Sequence, residues 1–161
     1  MRAIMNAHSL RRLVMATKAF CAAGCSGKPA HEYIRLAFHK NECCVEAASV
    51  DEYTLATEWK LCQDVDEDFV MLIRPVLPPI SRRSDELAEL RFYPSCISKI
   101  KVGDMSMEYA TPELAGFLDY QQAIPQGKPE FRIGVNGEYL MKGLKAASTK
   151  QPLSRNIELR F

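Results

Sequence analysis

Apolar positions recur along this chain with two periods. Leu10, Leu13, Val14, Thr17, Phe20 and Cys21 fall within an arc of about 120° at helical spacing, which predicts an amphipathic helix from an N-cap at Ser9 to about Ala22. Arg11 and Lys18 lie seven apart on the adjoining line, with Arg12 beyond, so the helix has a cationic back. Period two then takes over. Ile34, Leu36 and Phe38 alternate with Tyr33, Arg35 and Ala37, and Lys40-Asn41 turns the chain into a second strand from Cys43 to Ala48. A third strand, Tyr53 to Leu61, completes a predicted meander, and Phe69 to Ile73 is a fourth. Three more strands are predicted at Leu90 to Tyr93, Ile97 to Val102 and Met105 to Ala110, the last two joined by the Gly103-Asp104 turn. Ahead of them a short extended run covers Arg2 to Met5.

Between these strands lie segments of other kinds. Residues 74 to 86, RPVLPPISRRSDE, carry three prolines and form a connector, because proline neither continues a helix nor donates to a central ladder. The acidic run DVDED from Asp64 to Asp68 reads as a solvated loop. Pro125 ends an extended run, Gly127 and Pro129 make a junction, and Asn136 caps a second amphipathic helix. Its apolar arc holds Tyr139, Leu140, Gly143, Leu144 and Ala147, while Lys142 and Lys145 lie opposite. The alternating NIELRF of Asn156 to Phe161 is a strand whose partner is expected far away in the chain or in another subunit.

Composition narrows the picture little. The 161 residues, 47% hydrophobic and 25% charged, fit one globular domain plus a fragment, and a net charge of +1 gives no general attraction to nucleic acid. Any such attraction must come from how the cations are placed. The six cysteines have no CxxC spacing, and the adjacent Cys43 and Cys44 point to opposite faces of a strand, so reduced thiols in a cytoplasmic protein are expected. Cys21, Cys25, His31 and His39 are the residue types of a metal cluster but lack its ligand spacing; no metal or cofactor is expected. Arg11-Arg12 before LVMATKAFCAAGC imitates a signal segment, but Lys18 interrupts its apolar core and helical periodicity accounts for the same residues. No run is long enough for a transmembrane helix. Phosphate-loop, dinucleotide and nucleophile-elbow motifs are absent, and a Cys43 or Cys44 nucleophile with His39 as base would be poorly placed across a tight turn. An enzyme is not expected.

The order of elements and several strings resemble the bacterial DNA polymerase III β subunit family, the ring-shaped sliding clamps, and in particular the middle domain running into the next. RAIM and SLRRLVMATKAF stand as its entering strand and first helix. EYIRLAFHKNECCVEAASVDEYTLA stands where the family has two strands closing in Ala-Thr-Asp-Gly-His-Arg-Leu-Ala; Ala48, Ser49, Asp51, Leu55 and Ala56 echo that signature, with its Gly-His-Arg lost. FVMLIRP holds the place of the strand ending in proline, and ISKIKVGDMSMEYATPELAGFLDYQQAIP that of the last strands and the apolar-Pro connector. The family's second helix after FVMLIRP is replaced by the proline-rich segment.

The resemblance implies an α+β fold, a sliding-clamp (processivity-fold) domain of antiparallel sheets with two amphipathic helices packed on one side. It places a clamp-like domain at residues 1–126 and the opening of a partial second one at 127–161. It further implies sequence-independent contact with double-stranded DNA through Arg11, Arg12, Lys18, Lys142 and Lys145, because basic helix faces meet phosphates without reading bases. A groove for DNA polymerase or clamp-loader proteins is implied at Leu55, Ile124 and Pro125, and a homo-oligomer if a ring forms. The competing expectation is a phage-type, non-catalytic protein-interaction module without DNA binding.

Overall fold

The computed structural model describes residues 1–22, 29–51, 54–80, 85–117, 119–122, 137–138 and 141. The chain divides into two compact units, Met1–Ala123 and Ile124–Phe161. In the second, Gly137, Glu138 and Met141 are helical; Lys142, Lys145, the FRIGV strand, the cap at Asn136 and the NIELRF strand lie outside the described residues.

The first unit is built from two antiparallel sheets and one α-helix. Strand β1 (Arg2–Asn6) leads directly into α1 (Ala7–Thr17). Then follow β2 (Ile34–His39), β3 (Cys44–Val50), β4 (Leu55–Leu61), β5 (Asp64–Val65), β6 (Phe69–Ile73), β7 (Leu87–Tyr93), β8 (Ile97–Val102) and β9 (Met105–Ala110). One sheet has the order β5-β1-β7-β8-β9 and the other β4-β3-β2-β6. The predicted meander is thus β2-β3-β4, and β6 returns to pair with the free side of β2. Strand alternation explains the core. Ala3, Met5, Leu90, Ile100 and Val102 of one sheet and Leu36, Phe38, Val45, Ala47 and Met71 of the other share a single cluster with Leu10, Leu13 and Val14 of α1. Phe38 stacks on Phe69 at 4.4 Å between ring centroids, at its centre.

The helix differs from its sequence prediction at both ends. Asn6, not Ser9, is the N-cap: its side-chain oxygen accepts from the N–H groups of His8 and Ser9 at 2.9 and 3.1 Å. Asn6 is still extended at the end of β1, so the strand hands over its last residue as a cap and leaves Ser9 inside the first turn. The helix stops at Thr17 instead of Ala22, giving way to a 3-10 turn over Lys18–Phe20. Thr17 bends back to donate to the Leu13 carbonyl at 3.0 Å, and its own carbonyl accepts from Ser49 Oγ of β3 at 2.6 Å. We expect Asn6→Ala to destabilise the unit by about 1 kcal/mol in urea titration, with Ser9→Ala close to neutral.

Two helices on one side were expected; among the described residues α1 alone fills that layer. Beside it lies the proline-rich segment, whose described residues 74–80 are not helical. Pro75, Pro78 and Pro79 withhold backbone donors and Leu77 and Ile80 pack against the core, while Tyr109 Oη donates to the Val76 carbonyl and pins the segment in place. The acidic run also differs from expectation. Asp64 and Val65 pair with Ile4 and Ala3, so the DVDED stretch begins as a short edge strand before it becomes a loop.

Candidate functional site

Two surfaces hold Arg11, Arg12, Lys18 and Leu55, the described residues among those singled out from the sequence for binding. On α1, Ala7, Leu10, Leu13, Val14 and Thr17 are buried, and the helix packs on β3 and β4. Arg12 faces away from this buried side, and Arg11 and Lys18 flank it, with exposed Met15 between the two lines of cations. Arg11, Val14, Met15 and Lys18 form one wall of a groove of about 370 Å³, whose other wall is Pro75, Leu77, Pro78, Pro79 and Ile80. The structure therefore brings Arg11 and Lys18 together and sets Arg12 on the next line of the same helix.

A second cationic region competes with this one for any anionic partner. Arg2, Arg91, Lys99 and Lys101 line the outward face of the five-stranded sheet. Three of the four are paired within the sheet, and Lys101 forms no ion pair with a described residue. Arg2 pairs with Glu89 at 2.7 Å and Asp64 at 3.4 Å, Arg91 with Glu89 at 2.8 Å, and Lys99 with Glu108 at 2.8 Å. The hydrogen bonds from Arg91 and Arg2 hold the Glu89 carboxyl below its usual range, so these bridges persist at neutral pH. By contrast, Arg11, Arg12 and Lys18 form no ion pair with any described residue, although Glu58 of β4 lies close enough to Arg12 to feel its field. Unneutralised cations are the ones whose approach to a polyanion releases counterions. Arg11, Arg12 and Lys18 are therefore a group of cations without ion pairs among the described residues, whereas only Lys101 of the sheet-face four is so.

Of the residues expected to bind a partner, Leu55 falls on the outward face of the four-stranded sheet. Leu55, at the start of β4, packs against a second apolar cluster of Ala30, Tyr33, Ala48, Val50, Leu72, Phe117 and Tyr120. The chain after β9 supplies its lid. A 3-10 turn at Leu114–Gly116 delivers Phe117, which meets His31 edge-on at 5.9 Å and Tyr120 at 6.5 Å. Arg35 of β2 lies 5.6 Å over the Tyr120 ring, donates to its hydroxyl at 3.2 Å and so fixes the lid to the sheet. Burial, with Glu46 nearby, pushes the Tyr120 hydroxyl up to about 12, and it stays protonated. Leu55 thus touches the same cluster as the connector. Ile124 and Pro125, the other two residues expected at a partner groove, lie outside the described residues. Sequence reading missed the contacts of Phe117 and Tyr120 with Leu55's cluster and with Arg35; the signal was available in the aromatic pair of FLDY.

The cysteine and histidine positions do not converge. His31 sits under Phe117, His39 borders a shallow groove with Cys44 and Glu46 on the outward face, and Cys21 packs against the central core. Among the described residues no group of three His, Cys, Asp or Glu side chains is placed to hold a metal ion, and Cys25 lies outside them. No described helix is long and apolar enough to cross a membrane.

Comparison with known proteins adds the fold's relatives. No family model and no curated protein matches the chain. Solved structures do. The chain is similar to the DNA polymerase III β subunit of Thermotoga maritima with a TM-score of 0.68 at 15% identity, covering 92% of this chain and 40% of that one. The Helicobacter pylori β clamp bound to a DNA ligase peptide gives 0.67 at 17% identity, with 92% and 40% covered. The sliding clamp of Pseudomonas aeruginosa bound to griselimycin gives 0.64 at 12% identity, with 81% and 34% covered. The chain thus spans about two fifths of the length of the structures it resembles, or less. With paired antiparallel sheets, α1 laid on β3 and β4, and β1 joined to β7, it has the sliding-clamp fold of the bacterial DNA polymerase III β subunit in divergent form.

Proposed function

We propose that this chain is a sliding-clamp-like replication protein that contacts duplex DNA without sequence preference and docks a polymerase-type partner, with no catalytic role of its own. The observation that carries the DNA part is the cationic side of α1, whose Arg11, Arg12 and Lys18 form no ion pair with any described residue, whereas Arg2, Arg91 and Lys99 of the sheet body are bridged to carboxylates. In this reading Arg11, Arg12, Lys18, Lys142 and Lys145 meet phosphates. Long flexible cations on a rigid helix suit such contacts, because they follow the backbone and make no base-specific hydrogen bonds. Residues 1–126 form the clamp-like domain and 127–161 open a second. A homo-oligomer enclosing DNA follows if copies close a ring.

The partner-binding residues of this reading are Leu55, Ile124 and Pro125; Leu55 packs against the apolar cluster that holds Phe117 and Tyr120. An apolar site of this kind takes a leucine- or phenylalanine-bearing peptide. The Helicobacter pylori structure with its ligase peptide supports that reading by analogy of fold. Leu55→Asp is expected to weaken such a peptide, drawn from a replicative polymerase and followed by fluorescence anisotropy, by about 2 kcal/mol, the scale of an interface anchor. The same variant keeps its DNA affinity. For DNA, titration of a labelled duplex at falling salt is the test: weak association that rises steeply as salt falls supports the proposal, and none at low ionic strength overturns it. Mass in solution then separates a ring-sized oligomer from a monomer.

A further inference from the structure

Cys43 and Cys62 face each other at the open end of the β3/β4 ladder. The pairing of β3 with β4 runs from Val50 opposite Leu55 to Cys44 opposite Leu61. One step further the Cys62 N–H donates to the Cys43 carbonyl at 2.7 Å, so the same register carries on to this pair. Opposed residues at a hydrogen-bonded position lie about 5.5 Å apart between Cα atoms, which is inside the span a disulfide bridges. Both side chains lie half-buried against the central core, on the same face of the sheet, and Cys43 Sγ–H donates to the Cys62 carbonyl at 3.5 Å. Cys44 is turned the other way, lining the outward groove with His39 and Glu46. Cys43 also has a φ of +47°, a left-handed conformation rare for a residue with a side chain, held by the turn bond from its N–H to the Lys40 carbonyl at 3.1 Å.

We propose that Cys43 and Cys62 form a reversible intramolecular disulfide on exposure to a peroxide. The peroxide transfers one oxygen to one of the two sulfurs, giving a sulfenic acid and one water. The second thiol then attacks that sulfur, loses its proton, and the sulfenic oxygen leaves as a second water. Two thiols are oxidised and one peroxide is reduced; a small dithiol reverses the reaction by exchange. Burial, with Cys43 and Cys44 nearby, pushes the Cys62 thiol up to about 12, so Cys62 rests as a thiol at neutral pH. The bridge fastens the end of the hairpin on which α1 packs, and it does not depend on the DNA-binding proposal.

The test treats the full chain with hydrogen peroxide, alkylates the remaining thiols, digests after lysine and arginine, and reads the peptides by mass. Cleavage at Lys40 and Lys60 separates the Cys43/Cys44 peptide from the Cys62 peptide. The expected product is a cross-link between these two, lighter than their sum by two hydrogens, that survives Cys44→Ser and Cys96→Ser and is lost in Cys62→Ser. The urea midpoint of wild type rises on oxidation and falls back with dithiothreitol, whereas that of Cys62→Ser does not move, which guards against a variant that merely folds poorly. Alkylation of both Cys43 and Cys62 after peroxide overturns the proposal. So does a bond that disappears with Cys44→Ser, or covalent dimers through exposed Cys96 as the sole product.

Discussion

Phe38→Ala is expected to cost the first unit about 3–5 kcal/mol, the range for emptying an aromatic site in a packed core. Phe38 is 1% exposed, stacks on Phe69 and lies among Leu36, Val45 and Met71 on the face the two sheets share. Its neighbours come from β2, β3 and β6 and are held by cross-strand register, so they cannot collapse into the space without breaking ladders. A loss of this size is a large part of the stability of a small domain. Urea titration followed by circular dichroism should show a variant unfolded at low denaturant or lacking a cooperative transition. Trp59→Ala makes the contrast: Trp59 is 62% exposed on β4, and its removal should shift the midpoint hardly at all.

The second large effect is on DNA. Reversing Arg11, Arg12 and Lys18 together to Glu should remove the steep low-salt association of the chain with duplex. Each phosphate contact contributes about 0.9 to the slope of log affinity against log salt, so three contacts alone account for about 40-fold between 50 and 200 mM. Reversal adds repulsion to that loss. The helix itself should survive, because all three side chains avoid its buried arc of Ala7, Leu10, Leu13, Val14 and Thr17. Arg12→Glu does bring a second carboxylate near Glu58, a modest exposed repulsion visible as a small drop in the urea midpoint. Arg91→Glu is the matched control. It disturbs a bridge to Glu89 on the sheet face and should leave DNA affinity within about twofold, since Arg91 gives no free charge to begin with.

Much of the architecture could be read from periodicity. Ile34, Leu36 and Phe38 announced β2 and its buried face, and Gly103, with φ +57°, marked the β8-β9 turn because a left-handed position suits a residue without Cβ. The strand boundaries moved by a few residues, as at Leu87 where β7 begins ahead of Leu90. What stayed hidden depends on distant partners. Nothing local in Asp64-Val65 distinguishes an edge strand from a solvated acidic loop, since its pairing with β1 is made by backbone groups alone. Asn6 and Ser9 are equally good caps on paper; the choice fell to Asn6 because β1 pairs with β7 as far as Asn6 opposite Leu87, fixing where extended backbone ends. The resemblance grouped Leu55 with Ile124 and Pro125, which lie outside the described residues; Leu55 itself packs against the apolar cluster that includes Phe117 and Tyr120. Periodicity could not have shown that packing, because the two segments lie far apart in sequence. Likewise, the sequence showed which cations sit on a helix face but not which are already paired, and the bridges at Glu89 and Glu108 decide that question.

Which face meets the polyanion is therefore the point to measure. Brief acetylation of lysines with and without a saturating 30-base-pair duplex, read peptide by peptide at low salt, reports it directly. The account predicts that DNA protects Lys18, along with Lys142 and Lys145, while Lys60, Lys99 and Lys101 are modified at the same rate in both samples. Protection of Lys99 and Lys101 with Lys18 left reactive would place the DNA on the five-stranded sheet and contradict the account.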